Sequence, residues 1–341
     1  MIAPPPVEPV AARSPRDREP PPPDALLCIR NLRVQFGSLL AVNDVSFTLR
    51  AGQLMGMIGP NGAGKSTTLR AAAGLQPLTS GSIHVMGHDV TIATTDAGSH
   101  LGFAPDTPAV YDQLTVEQFL SFIGDAYRLG RRLTLERIDY WLESLWLADK
   151  RSARIGTLSR GMRQRLQVAR TLLPDPSVVL LDEPAAGLDP AGRVQFRRLL
   201  AGLRDQGKAI IVSSHILADL AEYCTHIGIM GHGRMLQYGT VAEVAAGAGG
   251  DRGTYRVMLA ERVGDLAARL AALWPPSESA DAVRVVSCDG DSLVVDGPMT
   301  RAAAAEILRA MLRSGLEVCE FQASRPDLEQ AYLRTGLRQV D

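Results

Sequence analysis

No run in this sequence approaches the roughly eighteen consecutive apolar residues that a membrane-crossing helix needs; the most apolar runs, such as Val178-Val179-Leu180-Leu181, are of strand length. The chain is therefore not expected to cross a bilayer by itself. Neither charge is in surplus: 36 Lys+Arg face 37 Asp+Glu, for a net charge of -1. A nucleic-acid binder draws most of its affinity from clustered cations, so that class is disfavoured. Lysine is scarce, with three against 33 arginines. The four cysteines, Cys28, Cys224, Cys288 and Cys319, are far apart and form no C-x-x-C pair. This argues against a zinc cluster and a disulfide framework and suits a reducing cytoplasm. Of the six histidines, His84 and His88 have i, i+4 spacing, but they flank a Met-Gly turn and read as structural rather than as metal ligands.

Of 341 residues, 46% are hydrophobic and 21% charged, enough apolar material for ordinary cores and a length suited to about two domains. Residues 1–25 hold nine of the 21 prolines and no apolar core of the kind a secretory signal needs; they read as a solvated, disordered tail. Strand-like patterns follow at 26–35 and 41–50, then a short apolar strand at 54–58, a glycine loop and a helix at 65–73. The period is helical through 111–170. Strands at 178–181, 209–212 and 227–230 alternate with helices at 191–204 and 216–223, which predicts a largely parallel sheet covered on both faces. The glycine-rich 245–253 reads as a linker. Beyond it, strand 255–259, helix 261–273, strands 283–286 and 292–295, helix 300–313 and strand 316–321 follow the split βαβ, ferredoxin-like order, with a last helix at 326–333. From Thr254 onward ten arginines and no lysine face thirteen acidic residues, so this part is mildly acidic.

The chemistry concentrates in two places. Gly59-Pro60-Asn61-Gly62-Ala63-Gly64-Lys65-Ser66, followed by Thr67, fits the P-loop pattern G-x-x-x-x-G-K-[ST], and it lies between a strand and a helix. Its glycines let backbone N–H groups turn inward around a phosphate, while the helix aims its positive end at the same anion. Lys65 then reaches the terminal phosphates and the Ser66 hydroxyl ligates Mg²⁺. Downstream, the apolar 178–181 ends in Asp182-Glu183-Pro184. A buried strand delivers such residues to the sheet rim where ligands bind. Asp182 is placed to hold the metal and Glu183 to polarise an attacking water; a lone acidic pair would equally well cap the next helix, but beside a P-loop the catalytic reading prevails.

With these motifs the chain resembles the nucleotide-binding subunit of an ABC transporter over about 26–239. Leu158-Ser159-Arg160-Gly161-Met162 resembles the family's LSGGQ signature; Ser159 and Gly161 match, while Arg160 and Met162 depart from it. Ala186-Gly187-Leu188-Asp189-Pro190 resembles the D-loop, with Asp189 near a dimer seam. His215 resembles the switch histidine, and Phe36 the aromatic that stacks on adenine; taken alone, each would read as a core or capping residue. Where the family places the Q-loop glutamine, this chain has Asp106, which could reach Mg²⁺ but adds a negative charge.

The resemblance implies an α/β fold: a P-loop ABC ATPase core over 26–244 with a mixed sheet and a helical subdomain inserted at about 106–159. A linker at 245–253 and a small ferredoxin-like α+β domain over 254–341 complete it. The implied activity is Mg²⁺-dependent hydrolysis of ATP, with Glu183, His215 and Lys65 as catalytic groups and Ser66, Asp182 and Asp106 on the metal. Gly59 to Thr67, Phe36, Ser159, Gly161 and Asp189 would contact nucleotide, the last three across a dimer of two copies or of homologous subunits. The implied partner is an integral membrane permease, with the chain peripheral at the cytoplasmic face and export the expected direction. A soluble ABC ATPase acting on ribosomes or DNA is the alternative. The stretch 150–170 has seven basic residues and no acidic one; it reads as a solvated face, part of which balances the triphosphate.

Overall fold

Gly37 and Ser38 are all that separates two strands of 12 residues each, β1 (Ala25–Phe36) and β2 (Leu39–Arg50). So short a connection forces an antiparallel hairpin, with Phe36 opposite Leu39. In the computed structural model, which describes residues 20–217, 220, 222–247, 252–275, 282–324, 328, 331, 332 and 335, the chain continues through β3 (Leu54–Ile58), α1 (Lys65–Ala72), β4 (Ser80–Val85), β5 (His88–Asp89), α2 (Thr94–Ser99) and β6 (Leu101–Ala104). Three helices then intervene: α3 (Val116–Ala126), α4 (Arg131–Ser144) and α5 (Arg160–Leu172). Thr115 and Gln118 start α3 with a reciprocal capping box. The remainder of this unit is β7 (Val178–Leu181), α6 (Pro190–Asp205), β8 (Ala209–Ser214), β9 (His226–Gly231) and β10 (Arg234–Thr240).

One sheet has the order β10-β9-β3-β8-β7-β6, with every pairing parallel except β9 with β10. The largely parallel sheet expected from the sequence is therefore half of the arrangement. β1, β2, β4 and β5 form a separate antiparallel sheet in the order β2-β1-β4-β5. The reason is local: two-residue connections cannot make the crossover that parallel neighbours need. Both sheets share one core with α1, in which Leu27, Val45, Met57, Leu69 and Ile211 are buried together. All four β7 side chains are buried, each worth about 2 kcal/mol of transfer free energy.

The described residues up to Thr240 form one compact unit and those from Val241 onward another. The second comprises α7 (Val241–Gly247), β11 (Arg252–Leu259), α8 (Leu266–Leu273), β12 (Arg284–Asp289), β13 (Ser292–Pro298), α9 (Arg301–Arg313) and β14 (Val318–Ser324). Its fully antiparallel sheet has the order β12-β13-β11-β14, which is the ferredoxin-like arrangement. Tyr255, Leu270, Leu293, Val295 and Met311 are at its centre.

Most element boundaries shift by a few residues from the sequence reading, and three shifts have a local reason or bear on the domain limits. The segment read as a linker at 245–253 is helical at its start and already strand from Arg252, because the alanine-rich Val241–Gly247 favours helix. The helix read from 261 begins at Leu266, with Asp265 as its N-cap, and Gly264 just before it is a poor helix former. Strand β1 begins at Ala25 rather than after it. Residues 1–19, 248–251, most of 326–333 and part of the helix read at 216–223 lie outside the described residues. Leu328, Ala331 and Tyr332 are described and buried. Among the described residues, no helix is long and apolar enough to cross a membrane.

Candidate nucleotide-binding site

The C-terminal ends of β3, β7 and β8 lie side by side, with Ile58 paired to Ser214 and Leu181 to Val212. Each strand hands the chain to a functional segment at that edge. After β3 comes the glycine loop, whose glycines answer to defined constraints. A methyl group at Gly59 would collide with the Met230 carbonyl oxygen. Gly64 has φ +98°, and a Cβ there would come within 2.7 Å of the Ala41 carbonyl oxygen. As the N-cap of α1, Gly64 has no side chain to occupy the helix's first N–H groups, which leaves them for an anion. The buried Lys65 lies back over the loop, its Nζ donating to the carbonyls of Gly59 (2.6 Å) and Pro60 (3.2 Å). Burial pushes its pKa down, and Glu183 and Asp182 oppose that shift.

After β7 come the two carboxylates, and β8 supplies what organises them. The buried Ser213 hydroxyl donates to Asp182 Oδ1 at 2.6 Å and accepts from the Glu183 N–H at 2.9 Å. Glu183 has φ +48°, in the left-handed region that costs a residue with a side chain about 1–2 kcal/mol. Its Oε2 lies 3.0 Å from His215 Nδ1. Burial pushes the Glu183 carboxyl up from the ordinary range, His215 and Lys65 pull it back, and Asp182 adds to the rise. Such a carboxylate is more basic than a solvated one, which suits proton acceptance.

The sequence-predicted residues Phe36, Asn61 to Thr67, Asp106 and Glu183 line one cleft of about 610 Å³. Gly59, Pro60, Asp182 and His215 do not line it: Gly59 and Pro60 accept from Lys65, the buried Asp182 is tied to Glu183 through Ser213, and His215 contacts the Glu183 carboxylate. Ser66, Asp182 and Asp106 offer oxygen donors only, the kind Mg²⁺ takes. Among the described residues no group of three or more His, Cys, Asp or Glu gathers that could hold a metal; a magnesium ion here would complete its shell with water and phosphate oxygens.

Ser159, Gly161 and Asp189 do not line this cleft. Ser159 caps α5 by accepting from the Met162 N–H (3.2 Å), and Asp189 caps α6 by accepting from the Gly192 N–H (2.9 Å). A Cβ on Gly161 would come within 3.0 Å of the Gly187 carbonyl oxygen, so these two segments pack against each other. Sequence reasoning missed Ser213, although a serine ending an apolar strand was a usable signal. It also missed Leu39, Leu40 and His232, which line the cleft through tertiary contacts.

Residues 42–186 match the model of the family described as ABC transporter. An uncharacterised ABC transporter ATP-binding protein of Bacillus subtilis is 37% identical over 219 residues, which are 64% of this chain and 71% of that protein. The chain belongs to the ABC transporter ATP-binding family. A daunorubicin resistance ATP-binding protein of Streptomyces coeruleorubidus is 30% identical over 312 residues, 91% of this chain and 95% of that protein. A solved ATP-binding subunit of an ABC transporter superposes with a TM-score of 0.62 at 29% identity, over 65% of this chain and 92% of that one. ABC cassettes bind ATP and hydrolyse it in transport, so this chain is an ATPase of that kind.

Proposed function

We propose that this ABC cassette is the motor subunit of an exporter, energising membrane permease subunits and peripheral to the cytoplasmic face of the membrane through them. The export direction rests on a relative named as a Nod factor export ATP-binding protein, 35% identical over 64% of this chain. The observation that carries the catalytic assignment is the arrangement of Glu183 at the cleft, its backbone held by Ser213 and its carboxylate by His215. In ATP hydrolysis a water oxygen forms the new bond to the terminal phosphorus as the bridging P–O bond to ADP breaks. Glu183 takes the water's proton, His215 orients the carboxylate, and Lys65 offsets the charge on the transferring group. Ser66 and Asp182, with Asp106 near them, would hold Mg²⁺, which supplies further neutralisation of phosphate charge.

Two copies, or one copy and a homologous subunit, close on two nucleotides, with Ser159, Gly161 and Asp189 serving the opposite cassette. The N-terminus of α5, with its Ser159 cap, supports that role as an anion-binding element. The test is Glu183→Gln. Phosphate release is expected to fall by about 10² to 10⁴, roughly 3–5 kcal/mol of barrier, with ATP binding retained and an ATP-dependent dimer accumulating on size-exclusion chromatography. Hydrolysis at the wild-type rate would remove Glu183 from the mechanism.

A further inference from the structure

The β9–β10 turn is built into the wall of the cleft. The Gly233 N–H donates to the Ala63 carbonyl of the glycine loop at 3.1 Å, and the Gly233 carbonyl accepts from the Asn43 N–H of β2 at 2.7 Å. A Cβ on Gly64 would lie 3.4 Å from Gly233 Cα. The turn is thus fastened to the phosphate loop on one side and to the β1–β2 hairpin on the other. Its central residue, His232, is exposed, lines the same cleft as Phe36, Leu39 and Leu40, and has φ +50°. A turn of this shape takes glycine or asparagine at less cost.

If the triphosphate lies against the glycine loop and the N-terminus of α1, the base and ribose extend toward the hairpin that presents Phe36. From the placement of the turn we infer that His232 is a nucleotide-binding residue that contacts the nucleoside end of ATP. An imidazole suits that end in two ways. Its face stacks on a purine, and its ring nitrogens exchange hydrogen bonds with ribose hydroxyls or the adenine amino group. The contact adds affinity in the ground state and leaves the terminal phosphate untouched. This inference rests on the reading of the cleft as the ATP site.

The experiment uses the full-length chain, with wild type compared to His232→Gly, His232→Asn and Lys65→Ala. Gly and Asn both accept the left-handed backbone, so the turn keeps its shape while the imidazole is lost. Two quantities are measured: affinity for ATP, and competition by inorganic tripolyphosphate, which has neither base nor ribose. Loss of one stacked contact is expected to weaken ATP about five- to twentyfold in both His232 variants. Competition by tripolyphosphate and kcat at saturating ATP should stay within twofold. Wild-type ATP affinity in the glycine variant, or an equal loss for ATP and tripolyphosphate, would overturn the assignment. Lys65→Ala should weaken both ligands. If it weakens neither, the cleft reading itself fails, and that failure is distinguishable from one confined to His232.

Discussion

Ser213→Ala puts the organisation of the cleft to a quantitative test. The hydroxyl is fully buried and makes two hydrogen bonds, donating to the Asp182 carboxylate at 2.6 Å and accepting from the Glu183 N–H at 2.9 Å. A bond to a charged group contributes about 1.5–3 kcal/mol and a neutral one about 0.5–1.5 kcal/mol. Removing the oxygen also leaves a buried carboxylate oxygen and a strained backbone N–H without this partner. The variant should therefore lose roughly 2–4 kcal/mol of stability. For a unit of this size each kcal/mol moves the melting temperature by about 2–4 °C, so the shift should be on the order of 4–16 °C. Differential scanning calorimetry reads it directly. Ser214→Ala is the control, because among the described residues that neighbouring hydroxyl bonds within its own turn, to the Ile216 backbone; its loss should cost under about 1 kcal/mol. Equal shifts for the two alanines, or a Ser213→Ala effect below about 0.5 kcal/mol, would refute the claim that this hydroxyl ties the carboxylates together.

Two further outcomes follow from the geometry. Gly59→Ala places a methyl group against the Met230 carbonyl oxygen, so ATP affinity measured by calorimetry should fall at least about tenfold and stability by about 1–3 kcal/mol; an unchanged titration would show that the loop can move aside. His215→Ala removes the 3.0 Å partner of Glu183 Oε2, and phosphate release should drop about ten- to hundredfold in kcat while KM stays within threefold. A variant whose loss lay wholly in KM would give His215 a binding role instead.

The parts of this molecule that were legible in the sequence are those whose chemistry is written within a dozen consecutive residues. The glycine loop, the acidic pair after β7 and the histidine after β8 each combine a strand with the residues that end it, and the cleft lies where those strand ends meet. The split βαβ order of the second unit was readable for the same reason. What escaped was whatever depends on strand order. Ser213 matters because β8 lies between β3 and β7, and His232 because the β9–β10 turn is seated against Ala63. Neither adjacency leaves a trace in local periodicity. The separate antiparallel sheet was missed because the pairing of β4 with β1 spans some fifty residues and β5, which pairs with β4, is only two residues long. Helicity at Val241–Gly247 was hidden by glycines that suggested a linker.

The order of strands in the larger sheet also has a consequence for how the molecule comes into being. β3, which launches the glycine loop, pairs with β8 on one side and β9 on the other, and those neighbours end at Ser214 and Gly231. A nascent chain that has emerged as far as α5 already contains the whole glycine loop and the signature segment, but the strand that must hold the loop has no sheet to join. Loop closure over such separations is slow and yields no reward until both ends meet. The glycine loop therefore cannot be seated in its sheet until β8 and β9 have emerged, and until then an apolar β3 waits without its strand partners, a feature that favours aggregation.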